Sequence, residues 1–261
     1  MRKLILTGSF WMLLSLTLWA QGLPLCQESP FAAGERISMG IMFKWGAVNT
    51  EVAQASLRLE KVPYQTDSLY HAVCQVKSAS FFDVFYKMRE NFQSWFTVDE
   101  IRPMEASRNT VENSYTSTNH YIYNWQGNVI NADVCIGGGT HQAKVLQMKG
   151  MSYDIVSLIF HLRNVDWKNA VVGKTYMAPF AIDDEVSELS VTYYGPEVLK
   201  VRKLGKKNAL RFSCTVVAGQ LFEGDQQMQV WFSDDEKHIP LAVMVPLKMG
   251  TMWAWLKAWE G

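Results

Sequence analysis

The sequence has no excess of charge of either sign. Its 261 residues include 25 Lys and Arg and 25 Asp and Glu, so the formal net charge is zero. No run of five basic residues occurs, and a balanced chain has no long-range field that attracts nucleic acid. With 48% hydrophobic and 13% aromatic residues, the composition is typical of a folded protein rather than of a disordered or fibrous one. We therefore expect a globular protein with no nucleic-acid partner.

Beyond its first twenty residues the sequence lacks any long uncharged apolar stretch. Arg2 and Lys3 precede an uncharged run from Leu4 to Ala20, which is typical of a secretory signal peptide. The run is marginal for spanning a bilayer. We predict a signal peptide over residues 1–20, cleaved after Ala20, and one exported β-rich domain over residues 21–261 without a transmembrane segment. An uncleaved anchor is the alternative.

Cysteines are too few to form the main support of a chain of this size. The four residues Cys26, Cys74, Cys135 and Cys214 could form two disulfides in three ways, and the sequence does not choose among them. Cys74 and Cys214 each lie on an apolar strand face. This position favours buried free thiols for these two residues.

Motifs of common catalytic and metal sites are also lacking. The segment 150–154 has the first glycine of a nucleophile elbow but not the second. The histidines are scattered, without metal-ligand spacing, at His71, His120, His141, His161 and His238. We therefore predict no catalytic residue, no metal ligand and no cofactor.

Three short polar segments could bind ions but fit turns better. The glycines of 137–140 are not followed by the Lys-Ser/Thr pair of a nucleotide loop, so a flexible hairpin tip is expected there. The acidic clusters 183–185 and 234–236 lack the alternating ligand order of a calcium loop. We predict that both clusters are solvated turns, the second within a hairpin.

What the sequence does contain is apolar residues at every second position. Alternation over 37–45 and 53–59, with a turn between them, predicts a hairpin of half-buried strands. Because many such runs are separated by turn residues, we predict a mainly β protein, a curved antiparallel sheet or partly open β-barrel in one domain. Further strands are predicted at 70–76, 115–125, 129–136, 143–148, 187–194, 198–204, 210–218, 228–233, 239–245 and 248–259.

Two segments have helical spacing. From Ser80, a plausible N-cap, to Trp95 the apolar residues recur at three- and four-residue intervals. A second apolar stripe lies within 153–163 and consists of Ile155, Leu158, Ile159 and Leu162. We predict that about two α-helices cover the sheet.

The C-terminal strand is apolar on both faces, so it must be covered twice or present aromatic rings to a ligand. We expect one of its faces to carry Leu247, Met249, Thr251, Trp253, Trp255 and Trp259. Tryptophans could line a cavity for an acyl chain or stack on sugar rings, and ordinary core packing is the alternative. The candidate ligand-binding residues are Trp45, Trp125, Trp231, Trp253, Trp255 and Trp259.

Several blocks resemble domain-of-unknown-function family 3108. They include Phe-Ala-Ala-Gly-Glu at 31–35, the helical segment at 157–163, Trp-Phe-Ser-Asp-Asp at 231–235 and Pro-Leu-Lys at 246–248. The resemblance implies an exported protein of Gram-negative bacteria, hence the periplasm, with an antiparallel β architecture similar to a YmcC-like fold. It implies no established activity, substrate or catalytic residue. By analogy of fold, a role in the cell envelope is expected.

Three functions from different classes are open at this point. The first is a non-enzymatic periplasmic binding or envelope-assembly factor for an apolar or glycan ligand or an envelope protein partner. The second is a hydrolase or transferase whose site is built from dispersed His and Asp/Glu residues. The third is an outer-membrane β-barrel. The oligomeric state is not predicted.

The predicted export can be measured directly. If residues 1–20 are a cleaved signal peptide, the chain expressed in a Gram-negative host will accumulate in the periplasm with Gln21 at its N-terminus. Intact-mass and N-terminal analysis of the periplasmic fraction measure this. A chain of full-length mass in the membrane fraction would instead indicate the uncleaved anchor.

Overall fold

The computed structural model describes residues 24–216 and 227–261, apart from the side chain of Val216. The predicted signal peptide, the end of the predicted strand 210–218 and the sequence Glu-Gly-Asp at 223–225, which is typical of a turn, lie outside the described residues. In the described part, one α-helix, α1 (Ile155–Arg163), and a short 3-10 helix (Trp167–Asn169) accompany fourteen strands. The strands are β1 (Arg36–Trp45), β2 (Val48–Tyr64), β3 (Asp67–Ser78), β4 (Met88–Thr97), β5 (Pro103–Glu112), β6 (Tyr115–Asn124), β7 (Val129–Ile136), β8 (Gln142–Gln147), β9 (Thr175–Ile182), β10 (Glu185–Val201), β11 (Gly205–Val216), β12 (Met228–Ser233), β13 (Pro240–Pro246) and β14 (Thr251–Glu260).

All fourteen strands belong to one antiparallel sheet. Its order runs from β8 back to β1, then from β14 back to β9. Two meanders are therefore joined where β1 pairs with β14, with Ile41 opposite Ala254. The sheet is curved and not closed, because β8 and β9 are its two edges. This confirms the predicted fold class of a curved antiparallel sheet.

The predicted helix over 80–95 is wrong. Residues 79–86 form turns, and the remainder is β4, which pairs with both β3 and β5. Two neighbouring strands satisfy the backbone of this segment, and aromatic residues such as Phe92 and Phe96 fit a strand well. The helical spacing did not mark a buried face, since Phe81 and Phe85 are exposed. The described residues thus contain one α-helix where about two were predicted.

The second predicted helix is confirmed as α1. Asp154 caps its N-terminus by accepting hydrogen bonds from the backbone N–H groups of Val156 and Ser157, and the Ser157 side chain completes a capping box. Ser94 of β4 also donates a hydrogen bond to Asp154, at 2.6 Å. Because α1 contacts β3, β4 and β9, it bridges the two meanders on the inner side of the curve.

Two strands, β5 and β9, were not predicted from the sequence, for different reasons. The inward residues of β5 are Ala106, Arg108 and Thr110, so its buried face shows no apolar alternation. Edge strand β9 carries Pro179, which is tolerated only at an edge or a bulge. Conversely, the gap left between the predicted strands 187–194 and 198–204 lies within β10, at Gly195, where the register with β11 shifts.

A buried ion pair joins four separate parts of the chain. Both oxygens of Glu35, just before β1, accept hydrogen bonds at 2.7 Å from the guanidinium of Arg163, the last residue of α1. Arg163 also donates to the carbonyl of His238 between β12 and β13, and the Trp259 indole of β14 donates to Glu35 at 2.9 Å. The rings of Phe31 and Phe160 lie within 5.5 Å of the guanidinium carbon. The side chain of Arg163 is completely buried.

Breaking this ion pair should destabilise the fold strongly. We expect Glu35→Gln to lower the free energy of unfolding by about 3–5 kcal/mol, because it leaves the Arg163 charge buried without compensation. Removing both charges together, in Glu35→Leu with Arg163→Met, should cost less than the sum of the two single changes. Urea unfolding of the purified variants measures both effects.

The exposed pair of Lys257 and Glu51, 2.9 Å apart, provides a matched control. Lys257→Gln should cost no more than about 1 kcal/mol, because water screens that pair. Equal costs for Glu35→Gln and Lys257→Gln would contradict the role assigned to the buried pair.

Candidate functional site

An apolar cavity of about 390 Å³ lies between α1 and the curved sheet. The helix contributes the stripe that the sequence predicted, which consists of Ile155, Leu158, Ile159 and Leu162. The sheet contributes apolar residues from both meanders, among them Met39, Ala55, Leu189, Phe212, Val230 and Val243. Among the described lining residues none is charged, and Ser56 carries the one hydroxyl. The volume is within the range of small-molecule sites, and the lining suits hydrocarbon.

Two thiols belong to the cavity wall. Cys74 and Cys214 face it from β3 and β11, and all four cysteines are free; the predicted buried free thiol is confirmed for Cys214, while Cys74 is free and half-buried. Burial raises the pKa of each cavity thiol to about 12, and the nearby charge of Glu90 contributes to the shift of Cys74. Both are therefore protonated near neutral pH. They behave as small apolar groups and not as nucleophiles.

Part of the Cys74 surface is accessible although the thiol is deep in the molecule. The same holds for Met39, Ile159 and Val243, which are half-buried while lining an interior space. Such exposure inside the fold is expected where side chains border a cavity rather than packed neighbours. The cavity wall therefore presents apolar surface that an occupant could cover.

Three of the six candidate tryptophans lie on the sheet face opposite the cavity. Residues directly opposite each other on paired strands share a face. Val230, Val243 and Ala254 are aligned in this way, and the first two line the cavity. Trp231, Ala242 and Trp255 also lie directly opposite one another, and each is the sequence neighbour of one of those three residues. Successive side chains of a strand point to opposite faces, so these three point away from the cavity.

The tryptophans on that opposite face form a stacked group in which Trp231 is buried and Trp253 and Trp255 are half-buried. Trp253 lies between Trp231 and Trp255, with ring-centre distances of 5.6 and 4.7 Å. The indole of Trp231 donates a hydrogen bond to Glu197 of β10 at 2.6 Å. Val201, from the far end of β10, belongs to the same apolar cluster. These rings have packing partners and do not line the cavity.

The other three candidate tryptophans are dispersed. Lys257 is an extra residue in β14 that has no partner in β1. Because this bulge reverses the alternation of side chains, Trp259 lies opposite Ile37 and not on the face of Trp255. The predicted common face is therefore wrong at Trp259. Trp125 donates to the carbonyl of Pro103 at 2.7 Å, and Trp45 stands exposed at the end of β1. A ligand-binding role of the six tryptophans stays a prediction, and the cavity is lined by other residues.

The five histidines do not converge. His120 and His141 each contact a carboxylate, Glu105 at 2.8 Å and Asp133 at 3.0 Å, but both pairs are exposed on strands. His71 stacks on Trp95, and His238 contacts the carbonyl of Arg163. Within residues 24–216 and 227–261, no three His, Cys, Asp or Glu side chains are grouped as metal ligands.

His161 is the histidine with the most perturbed environment. Its ring stacks on Tyr153 at 4.4 Å, and its Nδ1 atom is buried without a hydrogen-bond partner. Desolvation lowers the pKa of His161 to about 4. The imidazole is therefore neutral near pH 7, and within the described residues no carboxylate lies within ion-pairing distance of it.

The acidic cluster 183–185 begins in a turn and exposes Asp184 and Glu185, as predicted, but Asp183 is half-buried in a hydrogen-bond network. Asp183 accepts hydrogen bonds from Arg108 at 2.7 Å and Asn119 at 3.1 Å, and its carbonyl accepts one from Tyr121. Arg108 also bonds Thr110, which donates to Glu90. This network connects the β9–β10 turn with β4, β5 and β6. The second cluster, 234–236, does form an exposed turn, in which Asp235 accepts from Ser233 and Lys237.

A family model supports the resemblance seen in the sequence. The model described as "Protein of unknown function (DUF3108)" matches residues 41–256. The chain belongs to the DUF3108 family. The blocks at 157–163, 231–235 and 246–248 lie within the match, and the one at 31–35 precedes it.

A solved structure has a similar fold. It is the crystal structure of a beta-barrel-like protein of domain of unknown function DUF1849 from Brucella abortus, with a TM-score of 0.56. The similarity covers 92% of this chain and 99% of that one at 7% sequence identity, so it shows the fold alone. No curated protein matches the sequence of this DUF3108 chain. In the described parts of the chain, no helix has the length and apolarity needed to cross a bilayer.

The environment of His161 predicts a dependence of stability on pH. The unfolded chain takes up the proton near pH 6.5, whereas the folded chain does so only near pH 4. The free energy of unfolding should therefore fall as the pH decreases from about 6.5 to about 4, by on the order of 1–3 kcal/mol, and this contribution should be flat above pH 7. Urea unfolding across this range, compared between the parent chain and His161→Gln, isolates the effect. An NMR-measured His161 pKa near 6.5 in the folded protein would contradict it.

Proposed function

We propose that this DUF3108 protein is an exported, non-enzymatic binding factor of the periplasm that holds an apolar ligand, such as an acyl chain, between α1 and the curved sheet. The observation that carries the proposal is the cavity of about 390 Å³ lined by apolar side chains. A ligand that removes this surface from water is bound through the hydrophobic effect. An envelope-assembly role follows if that ligand is a component of the envelope.

The lining favours a hydrocarbon ligand over a glycan. A sugar ring needs hydrogen-bond partners for its hydroxyl groups, and burying them unpaired is costly. The described wall offers one hydroxyl, at Ser56, and two protonated thiols. Aromatic rings do border the cavity, among them Phe212, but the candidate tryptophans Trp253 and Trp255 lie on the opposite face of the sheet. The glycan alternative therefore has less support in the cavity than the acyl alternative.

The position of the cavity indicates what holds the ligand. Leu158 and Leu162 come from α1, while Val230 and Val243 come from adjacent strands of the second meander. Met39 and Ala55 extend the wall across the junction into the first meander. An elongated apolar molecule would thus contact the helix and both halves of the sheet, and its binding should stabilise the folded state.

Filling the cavity should abolish ligand binding. The uncharged fluorescent probe N-phenyl-1-naphthylamine should bind the exported chain with a marked increase in emission. Leu158→Trp, in α1, and Met39→Trp, in β1, should each weaken the probe's apparent affinity at least tenfold, because the indole occupies the space of the probe. Native mass spectrometry of chain purified from its own host should show a retained apolar molecule that these variants lack.

A matched control adds the same side chain where no cavity exists. Val145 of β8 is exposed, so Val145→Trp should leave probe binding unchanged. Circular dichroism checks that each variant keeps its sheet content. Equal probe binding by the parent chain, Leu158→Trp and Met39→Trp in folded form would refute the proposal.

A further inference from the structure

Large apolar side chains protrude at one end of the sheet. We define the apolar rim as Trp45, Phe81, Val84, Phe85, Leu247 and Met249. Val84 and Phe85 are 84% and 78% exposed, and Met249 and Trp45 are 63% and 52% exposed. Isolated exposed apolar residues are ordinary, but a group of this kind marks an interaction surface.

The three loops that carry the apolar rim are neighbours. They are the β1–β2 turn, the β3–β4 loop and the β13–β14 turn, and the strands concerned lie side by side in the order β3, β2, β1, β14, β13. Ala79 donates a backbone hydrogen bond to Val52 near the start of β2. Gly250 lies so close to β1 that a Cβ atom on it would come within 2.2 Å of the Lys44 carbonyl and 3.0 Å of the Trp45 Cβ atom.

The exposed position of the β3–β4 loop is enforced by local bonds. Backbone hydrogen bonds from Phe82 and Asp83 to the carbonyl of Ala79, and from Phe85 and Tyr86 to that of Phe82, close its turns. The Asp83 carboxylate accepts from Arg89 at 2.5 Å and also bonds Ser78. These bonds hold Val84 and Phe85 at the outer side of the turn, where they cannot fold back onto the core.

Positive charge accompanies the apolar rim. Lys44 and Lys87 adjoin its loops, both are exposed, and neither has an acidic partner at ion-pairing distance among the described residues. Of the acidic residues nearby, Asp83 pairs with Arg89 and Glu51 pairs with Lys257, while Glu112 hydrogen-bonds Tyr86 of the β3–β4 loop. Apolar tips bordered by uncompensated lysines match the interface of a bilayer that carries anionic headgroups.

We propose that the apolar rim docks this protein on the surface of an anionic phospholipid bilayer. The side chains stand on the tips of three loops, a protruding arrangement that can enter the headgroup layer, rather than on a groove that would receive a peptide. Strands β1, β3 and β13, which end at this rim, also line the cavity through Met39, Cys74 and Val243. The idea that the bilayer supplies the ligand of the cavity rests on the proposed function. Docking on the bilayer does not rest on it.

Sedimentation with vesicles tests docking. The exported chain should bind vesicles of phosphatidylethanolamine with phosphatidylglycerol, more weakly as salt increases, and should bind phosphatidylcholine vesicles poorly. The double variant Val84→Ser with Phe85→Ser should lower the partition coefficient at least tenfold. Lys44→Gln and Lys87→Gln should each lower it about fivefold on the anionic vesicles alone.

Matched variants make the test specific. Val145→Ser and Val198→Ser remove exposed apolar side chains from β8 and β10, away from the rim, and should bind vesicles as the parent chain does. All variants share one N-terminus, so any contribution of the first residues is the same in each. Absence of vesicle binding by the parent chain, or equal loss in rim and control variants, overturns the proposal and would leave a protein partner as the occupant of the rim.

The two proposals, ligand binding in the cavity and docking through the apolar rim, can be refuted independently of each other. Leu158→Trp should lose the fluorescent probe and still bind vesicles, because the apolar rim is intact. The variant with Val84→Ser and Phe85→Ser should keep the probe in solution and lose vesicle binding. If the rim variant lost both, the rim would be part of the fold rather than a docking surface, and the docking proposal would be overturned.

Discussion

The buried pair of Glu35 and Arg163 is the interaction on which the arrangement of this protein depends. Because the two edges of the sheet do not pair with each other, no hydrogen bonds between them fix its curvature, and contacts across its inner face contribute to it. Arg163 is fully buried and needs its partner in place, which fixes the C-terminal end of α1 against the start of β1 and the end of β14. At the other end of α1, Asp154 binds Ser94 of β4. The helix is thereby held at both ends, and with it one wall of the cavity.

Because α1 is held at both ends, different faces of the helix contact different parts of the fold. Phe160 packs against Phe96 of the first meander, whereas Leu158 and Leu162 face the cavity and pack with residues of the second meander. The sheet shows a similar division, because its inner face lines the cavity near Val230 while its other face carries the stacked tryptophans around Trp253. The stacked tryptophans thus lie on one face of the sheet, whereas aliphatic side chains, phenylalanines such as Phe212 and the two thiols border the cavity on the other.

Much of the architecture could be predicted because alternation of apolar residues reports a half-buried strand directly. β7 and β12 have the predicted bounds, and the stripe of α1 has its predicted members. The errors arose where polar residues are buried or apolar residues are exposed. β5 buries Arg108 and Thr110 within a polar network, and the segment 81–95 combines exposed aromatic residues with a paired strand, which together imitate a helical face. The candidate site was predicted only in part, since the stripe of α1 lines the cavity but none of the six candidate tryptophans does.

The sequence by itself determined the class of this protein: an antiparallel β fold with a short helix, membership of the DUF3108 family, and no catalytic or metal-binding motif. These follow from local periodicity and from ordered blocks, which need no knowledge of distant contacts. Only the tertiary structure decided which apolar side chains face a cavity and which are covered. A single extra residue at Lys257 places Trp259 on the other side of β14, and the inner face becomes a wall only when α1 is fixed across it. Register and long-range ion pairing are properties of the assembled sheet, so no local pattern contains them.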